Sequence, residues 1–184
     1  MRRNNLIFNM SIIAVFSALS FVVTAFLAVP IASGAGYLNF QDCIIFALAS
    51  LIHPLVGGIV GGLTGMLADI YAGYASFAVY TLVIKFVEGV VAGYMFRLLT
   101  KVIKNENKGF LIFKLAASFL VGGILMALGY MIPDFVNFAS SEVVLLDLGF
   151  NTLQACVNVV IGTLLYLALY KVRDVIVKRG EVNG

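Results

Sequence analysis

Long apolar runs, broken only by short polar stretches, leave this chain one environment in which to fold: the lipid bilayer. Hydrophobic residues make up 62% of the sequence and charged residues 11%, and the mean hydropathy is +1.06 over 184 residues. A soluble domain of this length needs far more polar surface. The expected class is an all-α integral membrane protein. At about 20 residues per spanning helix, the chain holds roughly six transmembrane helices in a single transmembrane domain over residues 1–184, with no stretch left for a soluble domain.

The apolar runs divide the chain. Segment one covers about Leu6 to Val29, too long for the roughly 7–15-residue core of a signal peptide, and a small, flexible stretch from Ile31 to Tyr37 follows. Segment two covers about Leu38 to Ile52. The His53-Pro54 pair makes a tight turn, since proline disfavours helix at the residue before it. Segments three and four cover about Leu55–Tyr71 and Phe77–Leu99. A basic loop, Lys101 to Lys108, precedes segment five (Phe110–Ile132), which ends at Pro133. An acidic loop, Asp134 to about Glu142, precedes segment six (Val143–Tyr170), with a break expected near Gly149. Segments two and three are short for full spans and could form a re-entrant pair.

Charge gives the orientation. Eleven of the twelve Lys and Arg lie at the N-terminus, in and around the loop between segments four and five, or near the C-terminus. By the positive-inside rule all three regions are cytoplasmic. An even number of crossings satisfies this, and the loops around Ser33, Tyr74 and Asn137, which contain no Lys or Arg, face outward. The net charge of +3 is therefore a topology signal, and no nucleic-acid partner is implied.

The twelfth base, Lys85, lies inside an apolar run. Thr81, Lys85, Glu88 and Ala92 share one face of segment four. Asn151, Gln154 and Asn158 fall within about 60° of one another on segment six. A charge facing lipid costs on the order of 2.5–3.5 kcal/mol at a helix centre, so these faces point into the bundle, in its outer half. They either bind a small polar molecule or, for the amides, glue helices together. Lys85 either forms a structural ion pair with Asp69 or pairs with Glu88 at i,i+3 spacing. Asp42 either caps the start of segment two or faces the pocket. Tyr80 or Tyr74 is placed to stack on a ring.

Small-residue seams come next. Gly57, Gly61 and Gly65, Gly58 and Gly62, and Gly89 and Gly93 repeat the G-x-x-x-G spacing that lets helices approach closely. In segment one, Ser11, Ala14, Ala18 and Ala25 form a seam that either packs inside or offers a docking face. Cys43 and Cys156 read as small membrane-core residues. No phosphate-binding loop is present. The lone His53 is no metal site, and no Ser-His pair is placed for catalysis. The reading is no enzyme, no catalytic residue, no metal and no cofactor.

An ordered set of residues carries a resemblance. Gly36-Tyr37-Leu38-Asn39-Phe40-Gln41-Asp42, the glycine-rich segment ending Leu67-Ala68-Asp69, Gly73-Tyr74, Thr81-Leu82-Val83-Ile84-Lys85 and Glu88-Gly89 together resemble the substrate-binding S component of energy-coupling factor (ECF) vitamin transporters. Gln41 stands where that family often has Gly. The resemblance covers most of the chain and implies six helices, both termini cytoplasmic, in a bacterial plasma membrane. It implies a T-component subunit and two ABC-type ATPases as partners, with Ala14 and Ala18 docking on the T subunit. It implies capture of a small water-soluble vitamin from outside, and release by toppling of the whole subunit. The Ala32–Tyr37 loop would gate the pocket. Asn151, Gln154, Asn158, Lys85, Glu88, Tyr80, Tyr74 and Asn39 form the expected substrate-binding set. The chain looks closest to the hydroxymethylpyrimidine/pyridoxine type, with pantothenate and riboflavin types also in the set. The rival reading is a self-sufficient ion-coupled secondary transporter with Asp69, Lys85 and Glu88 as an ion relay.

Overall fold

The computed structural model describes residues 3–30, 37–105 and 107–182, with side chains described for 10–30, 37–105 and 107–171. Six helices account for nearly all of it: α1 (Arg3–Phe26), α2 (Gln41–Leu51), α3 (Pro54–Ala72), α4 (Ala78–Val102), α5 (Lys108–Phe138) and α6 (Ser141–Val182). Between α1 and α2 runs a small antiparallel hairpin, β1 (Val29–Pro30) and β2 (Tyr37–Leu38), so Tyr37 is a strand residue rather than part of a loose linker. Apart from Tyr37, the stretch expected to gate the pocket lies outside the described residues.

The bundle is inverted relative to a soluble fold. Val15, Val79, Leu145 and Leu164 are more than 60% exposed, whereas Asp42, Lys85, Glu88, Asp134 and Asn158 are at most 1% exposed. Apolar outside and polar inside is the arrangement lipid selects. Among the described residues, Pro54–Ala72, Lys108–Phe138 and Ser141–Lys171 are long and apolar enough to cross a bilayer. α4 is long enough at 25 residues but carries Lys85, Glu88, Arg97 and Lys101.

The shortest of these helices sits at the centre. Ten of the eleven residues of α2 are buried, with α3, α4 and α6 packed around it. Phe46 stacks on Phe119 at 4.8 Å between centroids. At 1.5 Å per residue α2 rises roughly 17 Å, well short of the roughly 30 Å of a bilayer core. Its C-terminal end turns where the sequence requires. His53 is extended (φ −159°, ψ 142°), as the residue before a proline must be, and its Nδ1 accepts from Leu55 N at 3.2 Å to cap α3.

Two boundaries differ from the sequence reading. α5 continues through Pro133 to Phe138, and the acidic loop shrinks to Ala139 and Ser140. Proline is tolerated inside membrane helices where neighbours satisfy the freed backbone groups. Here Pro133 is buried; the carbonyl its missing N–H leaves free is that of Gly129, and its own carbonyl accepts from Asn137 Nδ2 at 2.7 Å. α6 runs unbroken through Gly149, which is exposed and strains nothing. Cys156 also lies on an exposed face, while Cys43 is buried.

Both glycine rows of α3 pack within the chain. A Cβ on Gly57 would meet Ala49 Cβ at 2.6 Å, and one on Gly62 would meet the Leu82 carbonyl oxygen at 2.6 Å. One row thus seats α2 and the other seats α4. Gln41, the departure from the family's usual glycine, is 1% exposed, and its amide donates to the Gly61 carbonyl (2.9 Å) and to Thr64 Oγ1.

Lys85 joins α4 to α2. Its ammonium pairs with Asp42 Oδ1 and lies 3.1 Å from Glu88 Oε2, an ion-pair distance without hydrogen-bond alignment. The expected ion pair with Asp69 is therefore corrected: Asp69 Oδ1 instead accepts from the Tyr37 hydroxyl at 2.7 Å. Asp42 lies in the first turn of α2 without capping it. Because α2 is central, Asp42 faces α4 directly, a contact that linear spacing could not reveal.

Removing one partner of a buried ion pair costs about 3–5 kcal/mol because it strands a charge. Lys85→Met should therefore lower the thermal midpoint in detergent steeply. Lys85→Met with Asp42→Asn should recover part of the loss, and a Lys85→Met midpoint equal to wild type would refute the pairing. The glycine contacts give a second comparison. Gly62→Ala should destabilise, whereas Gly149→Ala, whose Cβ meets nothing within 4 Å, should hold or raise the midpoint by helix propensity of about 1 kcal/mol.

Candidate functional site

Where α2 stops short, a cavity opens. It is walled by Tyr37 and Asn39 from the approach to α2, Gln41 of α2, Asp69 of α3 and Tyr74 and Phe77 of the α3–α4 turn. Thr81 of α4, Tyr130 of α5, and Asp147, Asn151 and Gln154 of α6 complete it. The enclosed space is about 40 Å³, room for a few waters.

The amides of α6 have defined work. Gln154 Oε1 accepts from Asn39 N at 3.0 Å while its Nε2 donates to Asp42 Oδ2 at 2.8 Å. Asn158 Oδ1 accepts from Cys43 N at 3.1 Å, and its Nδ2 donates to the carbonyls of Asn39 (2.9 Å) and Gln154 (3.0 Å). Asn39 Oδ1 accepts from Gln41 N at 3.0 Å. Helix N-termini leave backbone donors without intrahelical partners, and in lipid each must be satisfied internally. Side-chain oxygens of Asn39 and Asn158 do this for α2.

Among the expected substrate-binding residues, Asn39, Tyr74, Asn151 and Gln154 come together at the cavity. Asn158, Lys85, Glu88 and Tyr80 do not line it. Asn158 lies one turn of α6 below Gln154 and is committed to the α2 end. Lys85 and Glu88 sit deeper, although Lys85 Nζ is 5.7 Å from the centroid of the Tyr130 ring that does line the cavity. Ala14 and Ala18 are on the exposed face of α1, while Ser20 and Thr24 of the same helix are buried, with Ser20 Oγ 3.2 Å from Thr64 Oγ1.

Asp147 and Tyr130 were not singled out from sequence, and Tyr37 entered only within the resemblance motif and as the end of the expected gate. Asp147 had a usable signal: it stands four residues before Asn151, extending the same polar stripe, and its Oδ2 accepts from Asn151 Nδ2 at 2.7 Å. Tyr130 had a weaker one: Asp134 and Asn137 stand four and seven residues on, but the sequence reading placed both in a loop after Pro133 and not on α5. Its hydroxyl bonds Thr81 Oγ1 at 3.2 Å.

The electrostatics are one-sided. Asp69 Oδ2 and Asp147 Oδ1 are buried without a well-aligned hydrogen bond, and both residues line the cavity. Among its described residues the lining contains no Lys, Arg or His. Burial, and next the Asp69 carboxylate, push the Tyr37 phenol above its ordinary value, so it remains a donor. Tyr37, Tyr74 and Phe77 make an aromatic wall, with centroids 5.7 Å and 6.4 Å apart in succession.

Residues 4–171 match the family described as the S component of an ECF-type riboflavin transporter. The chain is also similar to a protein of Pyrococcus woesei named "Uncharacterized protein in gap 3'region", with 37% identity over 141 residues, covering 77% of this chain and 87% of that one. The name of that relative carries no function. A family match over nearly the whole length, on an all-helical bundle that buries a polar cavity, makes this chain a member of the ECF transporter S-component family, a family of vitamin-binding membrane transporter subunits rather than of enzymes.

Proposed function

We propose that the chain captures a small, water-soluble, hydrogen-bond-donating vitamin or precursor, hydroxymethylpyrimidine or pyridoxine, and delivers it to an ECF-type importer. The observation that carries this reading is the pair of buried carboxyl groups, Asp69 beside Thr81 and Asp147 beside Asp134, each with an oxygen that makes no well-aligned bond, on one cavity with no base among its described lining residues. A buried acceptor without a well-aligned bond is costly, and ring N–H, amino or hydroxymethyl groups satisfy it. Pantothenate brings a carboxylate into an acidic pocket and is disfavoured. Riboflavin, the vitamin in the matched family's description, serves as a comparison ligand.

In this reading Asn151, Gln154 and Asn39 orient the ring, Tyr74 stacks on it, and Tyr37 with Asp69 closes one side. Lys85 and Glu88 lie deeper than the lining, with Lys85 against the Tyr130 ring, Asn158 holds the end of α2, and Tyr80 stands outside the lining. The cavity is smaller than the several hundred Å³ that organic ligands occupy, so binding requires the lining to part, with the Ala32–Tyr37 connection as the gate. Both termini and the Lys101–Lys108 loop are cytoplasmic by the positive-inside rule, with six helices crossing the plasma membrane and α2 completed by its hairpin approach. Ala14 and Ala18 dock on the T subunit beside two ABC-type ATPases, and toppling of the whole subunit releases the vitamin. The exposed small-residue face of α1 supports that docking role.

Titration of the purified chain with hydroxymethylpyrimidine, pyridoxine, riboflavin and pantothenate should give tightest binding, below micromolar, for one of the first two. Asp147→Asn should weaken it by about tenfold or more, the scale of one hydrogen bond to a charged group. Tightest binding of riboflavin or pantothenate, or no binding of any vitamin, overturns the substrate assignment. Ala14→Leu with Ala18→Leu should abolish co-purification with the T subunit and ATPases while sparing vitamin binding, and retained co-purification refutes the docking face. Proton-driven vitamin uptake into liposomes by the chain alone would instead establish the secondary-transporter reading.

A further inference from the structure

At the opposite end of the bundle lies a second, larger cavity of about 620 Å³, between the C-terminal ends of α2 and α4, the start of α5 and the later turns of α6. Arg97, Lys101 and Lys114 line it, with the hydroxyls of Ser50 and Thr100. Among its described lining residues there is no acid. Lys114 is only 4% exposed, and its ammonium donates to the Asn105 carbonyl at 3.0 Å, leaving two of its three donors for another partner. Ser50 Oγ is buried with no hydrogen-bond partner. Arg97 makes only a long contact, 3.5 Å, to the Ile52 carbonyl.

A buried lysine with spare donors, an unsatisfied hydroxyl and two further cations around one space require an anion with several acceptor oxygens. A phosphate group has that chemistry, since it accepts from guanidinium, ammonium and hydroxyl donors at once. The other side of the cavity is apolar and aromatic. Ile52 and Leu111 line it, and Tyr166 stacks beside Tyr170 with centroids 5.9 Å apart. The volume exceeds what a bare oxyanion fills and suits a phosphate carried on an organic body. Basic pockets between membrane helices at the cytoplasmic level bind anionic lipid head groups.

We propose that this cavity is a binding site for a phosphate-bearing anion, supplied either by the head group of an anionic phospholipid or by a soluble phosphate compound. It is separate from the vitamin cavity and does not depend on which vitamin that cavity takes. The test is native mass spectrometry of the full chain in detergent, titrated with phosphatidylglycerol, phosphatidylcholine and inorganic phosphate in separate arms. Retention of phosphatidylglycerol over phosphatidylcholine supports the site with lipid as its source. Retention of inorganic phosphate supports it with a soluble source. In either arm Arg97→Gln with Lys101→Gln, both on exposed positions, should weaken binding by about fivefold for each cation removed, with the thermal midpoint unchanged. Lys114→Gln should do the same where it folds. Equal retention of the two lipids with no phosphate bound, or a preference that survives the Arg97/Lys101 double variant, overturns the proposal.

Discussion

The Lys85 ammonium, held between Asp42 and Glu88, sets the position of everything around it. α2 has too few residues to cross the bilayer core and lies in the middle of the bundle, so it must be held by its neighbours. One charged contact to α4, glycine-lined contact with α3 and the Gln154 and Asn158 amides of α6 do this together. The polar contacts are strong because they are buried, and the same burial makes any missing partner expensive. The cavity exists because α2, fixed in this way, leaves part of the bundle's length unfilled.

Membrane class and the locations of the helices were legible because both follow from apolar runs and punctuation. His53-Pro54 and the glycine rows of α3 act through local geometry, so reading them needed no tertiary knowledge. Pro133 misled because a proline ends a helix in water more readily than in a packed membrane bundle. The Lys85 pairing was legible in part: Glu88, at i,i+3 spacing, is a partner, whereas Asp69 is not. Asp42 was missed because only the central placement of α2 brings it to Lys85. The α6 stripe was found by helical phase, but phase cannot say whether an amide oxygen meets a ligand or a backbone N–H. Asn158 and most of Gln154 meet backbone and side chains of this chain. Tyr130 could be placed at the cavity only once α5 and α4 were seen to pack together.

The two ends of the bundle carry opposite chemistry. One cavity faces carboxylates and phenols, the other ammonium and guanidinium groups, with the stacked Phe46 and Phe119 rings in the core between them. The asymmetry used to orient the chain in sequence therefore extends inward from the loops. The charges that mark a side of the membrane also shape the space at that side.

The amide clip at the start of α2 has an evolutionary consequence. Asn39, Asn158 and the Asp42-facing side of Gln154 secure the backbone beneath the cavity, while Tyr74, Phe77, Asn151 and Asp147 wall it from elements that are otherwise well packed. Asn39 and Gln154 belong to both foundation and wall, whereas Tyr74, Phe77, Asn151 and Asp147 belong to the wall alone. Substitutions among these last four can change which molecule is accepted without undoing the helix below, so one bundle can acquire new ligands by a few exchanges around its rim.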